Sequence, residues 1–445
     1  EVVHLFVRRR MWGYEGGEQP SPEEVIAGHY RGRRMAFGYP ASPDHSLKRE
    51  VFDLLAVERT TGMRLTENWM IDPGEALCGL LFADAEYFSV GHIDQEQLRD
   101  YAARRGLDEE TSRRPTRQDR QQAEMNVTDI INRALEERKT RFAFELLPPL
   151  KGDGMGGVFG AIDPLMEFDP AYINITFHRE GIKQTQRPDG GIEWHVVRRR
   201  PGTVGISAAI EKRYGVTTVP HLICGGLSKY DIEDALIDMD FLGLHNVLAL
   251  RGDKSQNERH FMPHPQGHAH AVDLVRQIAA MNRGEFVDGE VEVCHHSKFS
   301  IGVAGYPETH QEAASPESDI AFLKAKVDAG ASYVVTQLFY DNARFFDFVQ
   351  RCRQAGITVP IIPGIKPLST VRHLTLLPQT FGCHIPWELE REVLAHRDDA
   401  KAVRRIGTEW AIAQSRELKQ AGVPVLHYYP MGKAENIIEI ARTIF

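Results

Sequence analysis

Glu145 sits in the run FAFELLPP, a lone carboxylate among apolar neighbours. That setting penalises the charged form, raises the pKa and suits general acid catalysis. A buried Glu paired with a barrel Arg or Lys is the other reading of the same pattern. His221 in VPHLIC has the chemistry of a base or a ligand, although a satisfied core histidine is the commoner use of such a residue. Asp253 follows Arg251 and Gly252 in LALRGD, where a glycine lets the backbone approach a ligand closely. An ordinary surface turn explains RGD nearly as well. Thr176, Tyr306, Gln337 and Tyr428 are further polar residues at the ends of short apolar runs.

Two groupings invite a chemical reading and do not carry it. LKGDGMGGVFG follows FELLPP, but its glycine spacing is neither GxGxxG nor GxxxxGK(S/T), so a flexible loop that admits substrate is the better account. His260, His264, His268 and His270 lie close together, with Cys294-His295-His296 after them. His264 and His268 are spaced i, i+4, yet PHPQGH cannot be helical, and zinc ligands need rigid support. No metal site is expected.

The elements that must position these residues are regular after Met125. Strands are expected at Arg141–Leu146, Tyr172–Phe177, Val219–Ile223, Asn246–Leu250, Phe299–Ala304, Tyr333–Gln337, Pro360–Ile365 and Val425–Tyr428. Amphipathic helices lie between most of them, for example Lys229–Leu242, Ala271–Met281, Ser318–Ala329 and Ala343–Ala355. Strand and helix repeated eight times is the pattern of an α/β fold, a (β/α)8 TIM barrel, whose C-terminal strand ends carry function. A doubly wound open sheet is the alternative; no GxGxxG follows the first strand. Residues 104–124 are almost wholly charged or polar and read as a linker. Residues 1–103 read as a small α+β domain, with a helix at Ser46–Glu58 and antiparallel strands at Thr66–Ile71, Ala76–Phe82 and Tyr87–Ile93. The division is therefore 1–103, 104–124 and 125–445. The chain starts at Glu1 rather than Met, which leaves open whether further residues lie upstream.

FELLPP, VPHLIC, LALRGD, VAGYPETH, KVDAGASYVVTQLFYD and IIPGI occur in this order, each at an expected strand. With these motifs residues 125–445 resemble methylenetetrahydrofolate reductase, a flavoprotein family that converts methylenetetrahydrofolate to methyltetrahydrofolate. The resemblance implies FAD as cofactor and NADH or NADPH as electron donor. It makes Glu145 the general acid, Asp253 a carboxylate beside the flavin, and Gln337 an amide contacting folate and nicotinamide. It also places Thr176, His221, Arg251, Gly252, Tyr306, His310, Asp319 and Lys326 along FAD, and Ala331 in packing beneath it. Three positions depart from the family pattern. Lys433 in MGKAEN stands where an Arg often binds the folate tail, and supplies a cation without a bidentate fork. His373 replaces a Gln, and Lys366 replaces an apolar residue after PGI.

GRRMAFGYPASPDH and the segment TGMRLTENWMIDPGEALCGLLFADAEYFSVGHI give the first 106 residues their own resemblance. They are similar to the C-terminal part of the activation domain of cobalamin-dependent methionine synthase, which binds S-adenosylmethionine. That likeness implies Arg34, Ala36, Tyr39 and Tyr87 as ligand contacts, with Arg34 facing the ligand carboxylate. A degenerate fragment that only packs or oligomerises is the alternative for this region.

The chain has 445 residues and a net charge of -9, which argues against a nucleic-acid partner held on a basic face. No apolar run is long enough to span a bilayer. Five dispersed cysteines without a CxxC pair indicate a reduced, cytoplasmic protein. The partners expected are a folate substrate, a cobalamin-binding methionine synthase module and further copies of the chain. The rival function is an S-adenosylmethionine-sensing regulatory or docking protein.

Overall fold

The computed structural model describes residues 126–179, 181–255, 258, 260–289, 296–430 and 434–445 and, ahead of these, 7, 11, 33–37, 42, 46–66, 69, 71–72, 78–83, 100 and 103–104. The chain divides into two compact units, Glu1–Glu124 and Met125–Phe445. Most of the charged stretch 104–124 lies outside the described residues.

In the first unit, strand β1 (Arg33–Ala36) is antiparallel to β4 (Gly79–Phe82), and β2 (Arg64–Leu65) to β3 (Ile71–Asp72). The helix expected over Ser46–Glu58 is two pieces, Leu47–Leu54 and Val57–Thr61. Ala56 breaks it with φ of 48°, a left-handed conformation that a helix interior cannot hold. Of the strand expected at Thr66–Ile71 only Ile71 is in β3; Trp69 N–H donates to Thr66 O at 2.9 Å, and residues 67, 68 and 70 lie outside the described residues. Phe52 and Ile71 are buried. The expected strand Tyr87–Ile93 lies outside the described residues.

The second unit is an α/β barrel. Its strands are β5 (Arg141–Leu146), β6 (Tyr172–Ile175), β9 (Thr218–Ile223), β10 (Asn246–Leu250), β11 (Ser300–Gly305), β12 (Tyr333–Thr336), β13 (Ile361–Ile362), β14 (Gly364–Ile365) and β15 (Val425–Tyr428), with β7 (Gly181–Gln186) and β8 (Ile192–Val197) forming a separate hairpin. All neighbouring barrel strands are parallel, in the order β13-β12-β11-β10-β9-β6-β5-β15-β14. The two ends of that order are one stretch of chain, because only Pro363 separates β13 from β14. Proline has no N–H to donate, so the ladder switches there: Ile361 and Ile362 pair with β12, while Gly364 and Ile365 pair with β15. The seventh barrel strand thus joins the sixth to the eighth and closes the sheet.

The hairpin β7–β8 was not expected, although its RPDGG turn and flanking alternation carry the signal for one. Gly190 takes φ of 85° in that turn, and Arg187 and Gly191 close the ladder at 2.7 Å.

Barrel strands alternate, so one set of side chains fills the interior and the other packs on the outer helices. Ala143, Tyr172, Val219, Leu248, Tyr333, Val335, Ile362 and Val425 form the inner cluster, with Val127 and Ile131 against it. Those two come from the helix Val127–Glu136, whose start is fixed twice. Asn126 caps it by accepting from Asp129 N–H at 3.0 Å, and Val127 N–H donates to the Asn246 side chain at 2.7 Å. Asn246 opens β10, so the helix is tied across the N-terminal end of the barrel. Phe142, Phe144, Ile173, Ile175, Val247 and Val303 belong to the outer cluster. Among the described residues no helix is long and apolar enough to cross a membrane.

Candidate active site

Strand parity decides which polar residues reach the mouth. Ala143 faces the barrel interior, so Glu145 does too, while Phe144 and Leu146 pack outward. By the same rule Asn174 follows Tyr172, His221 follows Val219, and Gln337 follows Tyr333 and Val335. On β15 the inward set is Val425, His427 and Tyr429. Tyr428, the residue expected at this strand end, points outward instead and donates to Ser415 Oγ at 2.9 Å. Tyr429 is the polar residue at the mouth, donating to Thr336 O at 2.7 Å.

Glu145 and His221 approach to 3.6 Å, with 21% of the Glu145 side chain exposed. Burial raises the Glu145 carboxyl to about 8. Burial, then the neighbouring His427 and His178, lower His221 to about 3. Both groups are therefore neutral at neutral pH, and the pair is a dipolar contact rather than an ion pair. The Arg or Lys partner weighed for Glu145 is not found among the described residues. Asn174 Nδ2 lies 3.2 Å from His221 Nε2. An amide donating there leaves the histidine proton on Nδ1. A charged Glu145 would act on Tyr429, whose hydroxyl is raised by burial first, then by Glu145 and Tyr306.

A second group lies on the loops after β10 and β11. Arg251 grips Glu312 with both terminal nitrogens, at 2.5 and 3.1 Å, and lies 4.9 Å from the Phe261 ring centroid. That fork raises its pKa. Gly252 has φ of 82°, and a Cβ there would meet the Ile223 side chain at 3.2 Å, so both conformation and space call for glycine. Asp253 is close enough for its charge to act on His178, Arg251 and Tyr306. Tyr306 packs edge-on to His310 at 4.7 Å. His310 N–H donates to Asp319 Oδ2 at 2.8 Å, fixing the loop onto the helix Pro316–Asp328. From the same helix Lys326 donates to Ala304 O at 2.6 Å, and burial lowers it to about 8. Ala331 N–H donates to Lys326 O, and Ala331 is buried in the outer cluster. Thr176 donates to Leu146 O at 3.2 Å and sits 3.2 Å from His178 Nε2. Gln337 lines a cleft with Tyr306, Glu308, Thr309 and Phe381.

The structure thus gathers Glu145, Thr176, His221, Arg251, Gly252, Asp253, Tyr306, His310, Asp319, Lys326 and Gln337 at one end of the barrel. Chemically they offer an acid pushed toward its protonated form, the carboxyl of Asp253 and a set of donors, on strands and loops that the sheet holds in register.

The sequence model described as "Methylenetetrahydrofolate reductase" matches residues 130–444. The chain belongs to the methylenetetrahydrofolate reductase family. It is 34% identical over 329 residues to "Methylenetetrahydrofolate reductase (NADH) 1" of Arabidopsis thaliana, covering 72% of this chain and 51% of that one. To the "5,10-methylenetetrahydrofolate reductase" of Escherichia coli K12 it is 28% identical, covering 71% of this chain and 95% of the other. The chain spans about half the length of the plant relatives it matches. Residues 1–106 match the model described as "Vitamin B12 dependent methionine synthase, activation domain". A crystal structure of a MetH reactivation domain bound to AdoHcy is 40% identical, over 26% of this chain and 36% of that one, with a TM-score of 0.24.

Some expected residues cannot be placed in this geometry. Lys433, Tyr39 and Tyr87 lie outside the described residues, as do the side chains of Arg34 and Ala36, whose backbone forms part of β1. Of the histidine group, His268 Nε2 is held by Gln277 Oε1 at 2.6 Å and His264 Nδ1 accepts from Gln266 N–H at 3.2 Å. Cys294 and His295 fall outside the described residues, and no cluster of metal-ligating side chains forms among those described. Tyr429, Asn174 and Glu312 were missed. Tyr429 needed strand parity to be separated from Tyr428, and the other two act through partners far away in sequence.

Proposed function

We propose that the barrel is an FAD-dependent reductase that converts 5,10-methylenetetrahydrofolate to 5-methyltetrahydrofolate with NADH or NADPH. The observation that carries this reading is Glu145, which turns inward at the mouth of a family-matched barrel 3.6 Å from His221, where desolvation pushes its carboxyl toward the protonated form. The donor set suits a flavin dinucleotide: the Arg251 and Lys326 cations and the bare backbone at Gly252 offer groups for phosphates and a ring edge. Bound FAD would supply the hydride relay between the nicotinamide and the folate's one-carbon unit. Glu145 delivers its proton to the folate nitrogen that leaves as the five-membered ring opens. Asp253 offsets the positive charge left on the one-carbon unit. Gln337 holds the substrate amide edge in register with the acid.

The first 106 residues, on this reading, answer to S-adenosylmethionine through Arg34, Ala36, Tyr39 and Tyr87 and dock on a cobalamin-binding methionine synthase module, which consumes the methyl group the barrel makes. A cytoplasmic homo-oligomer completes the reading. The visible spectrum of the purified protein tests the centre of it. Flavin absorption, bleached by NAD(P)H without oxygen and restored by methylenetetrahydrofolate, is the expected result; a colourless protein that takes up no FAD overturns it.

A further inference from the structure

Lys366 is buried, with 5% of its surface exposed, at the end of β14. Its position in the strand explains why. Ile362 belongs to the inner cluster, and a Cβ on Gly364 would run into Thr336 O and the Tyr429 ring. Two residues further on, Lys366 faces the same way. Among the described residues its Nζ has one partner, Tyr429 O, at 3.4 Å. An ammonium carries three donors, and this single bond is at the long end of the range. Burial lowers the amine, to about 8, and among the described residues no carboxylate raises it again.

His373, four residues after Ser369, begins the helix His373–Phe381. Its Nδ1 accepts from Ser369 N–H at 3.2 Å, so the ring proton sits on Nε2. Burial, then the Lys366 charge, lower the ring to about 4, which keeps it neutral. Lys366 and His373 are thus neighbouring donors, close enough for the lysine charge to act on the ring. Tyr429 links them to the rest of the mouth, because its hydroxyl holds Thr336 O, the carbonyl just before Gln337.

We propose that Lys366, supported by His373, binds the oxygen of an amide-type carbonyl on the ligand held against Gln337. The inference rests on the reductase reading, on which two ligands carry such an oxygen: the pterin ring of the folate and the carboxamide of the nicotinamide. A carbonyl suits the site better than a phosphate. One amine and a neutral imidazole satisfy an uncharged acceptor, whereas a dianion would stay undercompensated once desolvated.

The test compares the wild type with Lys366→Met, which keeps the length and removes the donors, and with Lys366→Gln, which keeps a donor. Binding of 5-methyltetrahydrofolate to each FAD-loaded protein with its flavin reduced, and of NAD+ to each with its flavin oxidised, is measured separately by calorimetry, so that no hydride transfer contributes, together with flavin content. Losing a charge-assisted hydrogen bond should weaken one ligand by roughly tenfold or more. The other ligand should change little, flavin content should hold, and Lys366→Gln should recover part of the loss. The ligand that weakens names the source of the carbonyl. Equal affinities in all three proteins overturn the assignment, and so does a parallel loss of both ligands and flavin, which marks a purely structural lysine. A wild type that binds neither ligand overturns the reductase reading itself.

Discussion

Glu145 and His221 show how burial alone sets protonation. Each is pushed toward its neutral form, one upward and one downward, because a charge at the barrel mouth loses more solvation than its neighbours return. Glu145→Gln should therefore slow folate reduction by roughly 100- to 10,000-fold, the usual worth of general acid catalysis, while NAD(P)H still reduces the flavin. Stopped-flow measurement of the two half-reactions separates these effects. The same substitution has a stability signature. The folded carboxyl titrates near 8 and the unfolded one near 4.5, so the folded state holds the extra proton between them and wild-type stability falls as pH rises through that window. Glu145→Gln should remove that contribution, which denaturant titrations at both ends of the window would measure. Asp253 acts differently. A carboxylate beside the flavin disfavours added negative charge, so Asp253→Asn should retain FAD and raise its reduction potential. Spectroelectrochemistry giving an unchanged or lower potential would remove Asp253 from the flavin's surroundings.

Among the elements, the helix Val127–Glu136 and the split strand β13–β14 have the most structural consequence. Ile131 is fully buried against the inner cluster, where a deletion leaves a cavity that the surrounding strands cannot close. Ile131→Ala should cost about 2–5 kcal/mol of barrel stability, read from the denaturation midpoint at unchanged slope. The helix VTDIINRALE was not among those expected, although its apolar residues recur at helical spacing behind an Asn cap. The strand split was not legible. IIPGI reads as one strand, and only the two different pairing partners on either side of Pro363 divide it.

For the whole molecule, two compact units carry two separate family matches. Residues 125–445 alone should fold, take up FAD and reduce methylenetetrahydrofolate at close to the full-chain rate. Any response of the full chain to S-adenosylmethionine should disappear in that fragment and weaken in Arg34→Ala. A fragment that aggregates or loses flavin would show that the first unit contributes to the barrel's stability.

The sequence by itself determined the barrel's strand sequence, its helices and the residues at most strand ends. Those features are local: apolar periodicity, caps, and motifs in a fixed order. Arg141–Leu146, Asn246–Leu250, Val425–Tyr428 and the helix Ala271–Met281 have the expected bounds. What only the tertiary structure decided depends on contacts between distant residues. Tyr429 rather than Tyr428 faces the mouth because the register of β15 against β5 and β14 fixes which side of the strand turns inward. Glu145 meets a neutral histidine 76 positions away rather than an Arg or Lys, because parallel strands carry side chains together without regard to their separation in the chain. Lys366 reads in sequence as a cation added near the site, where the family pattern has an apolar residue. The closing of the seventh strand buries it, since Pro363 and Gly364 turn that strand from one neighbour to the next and aim its end into the barrel.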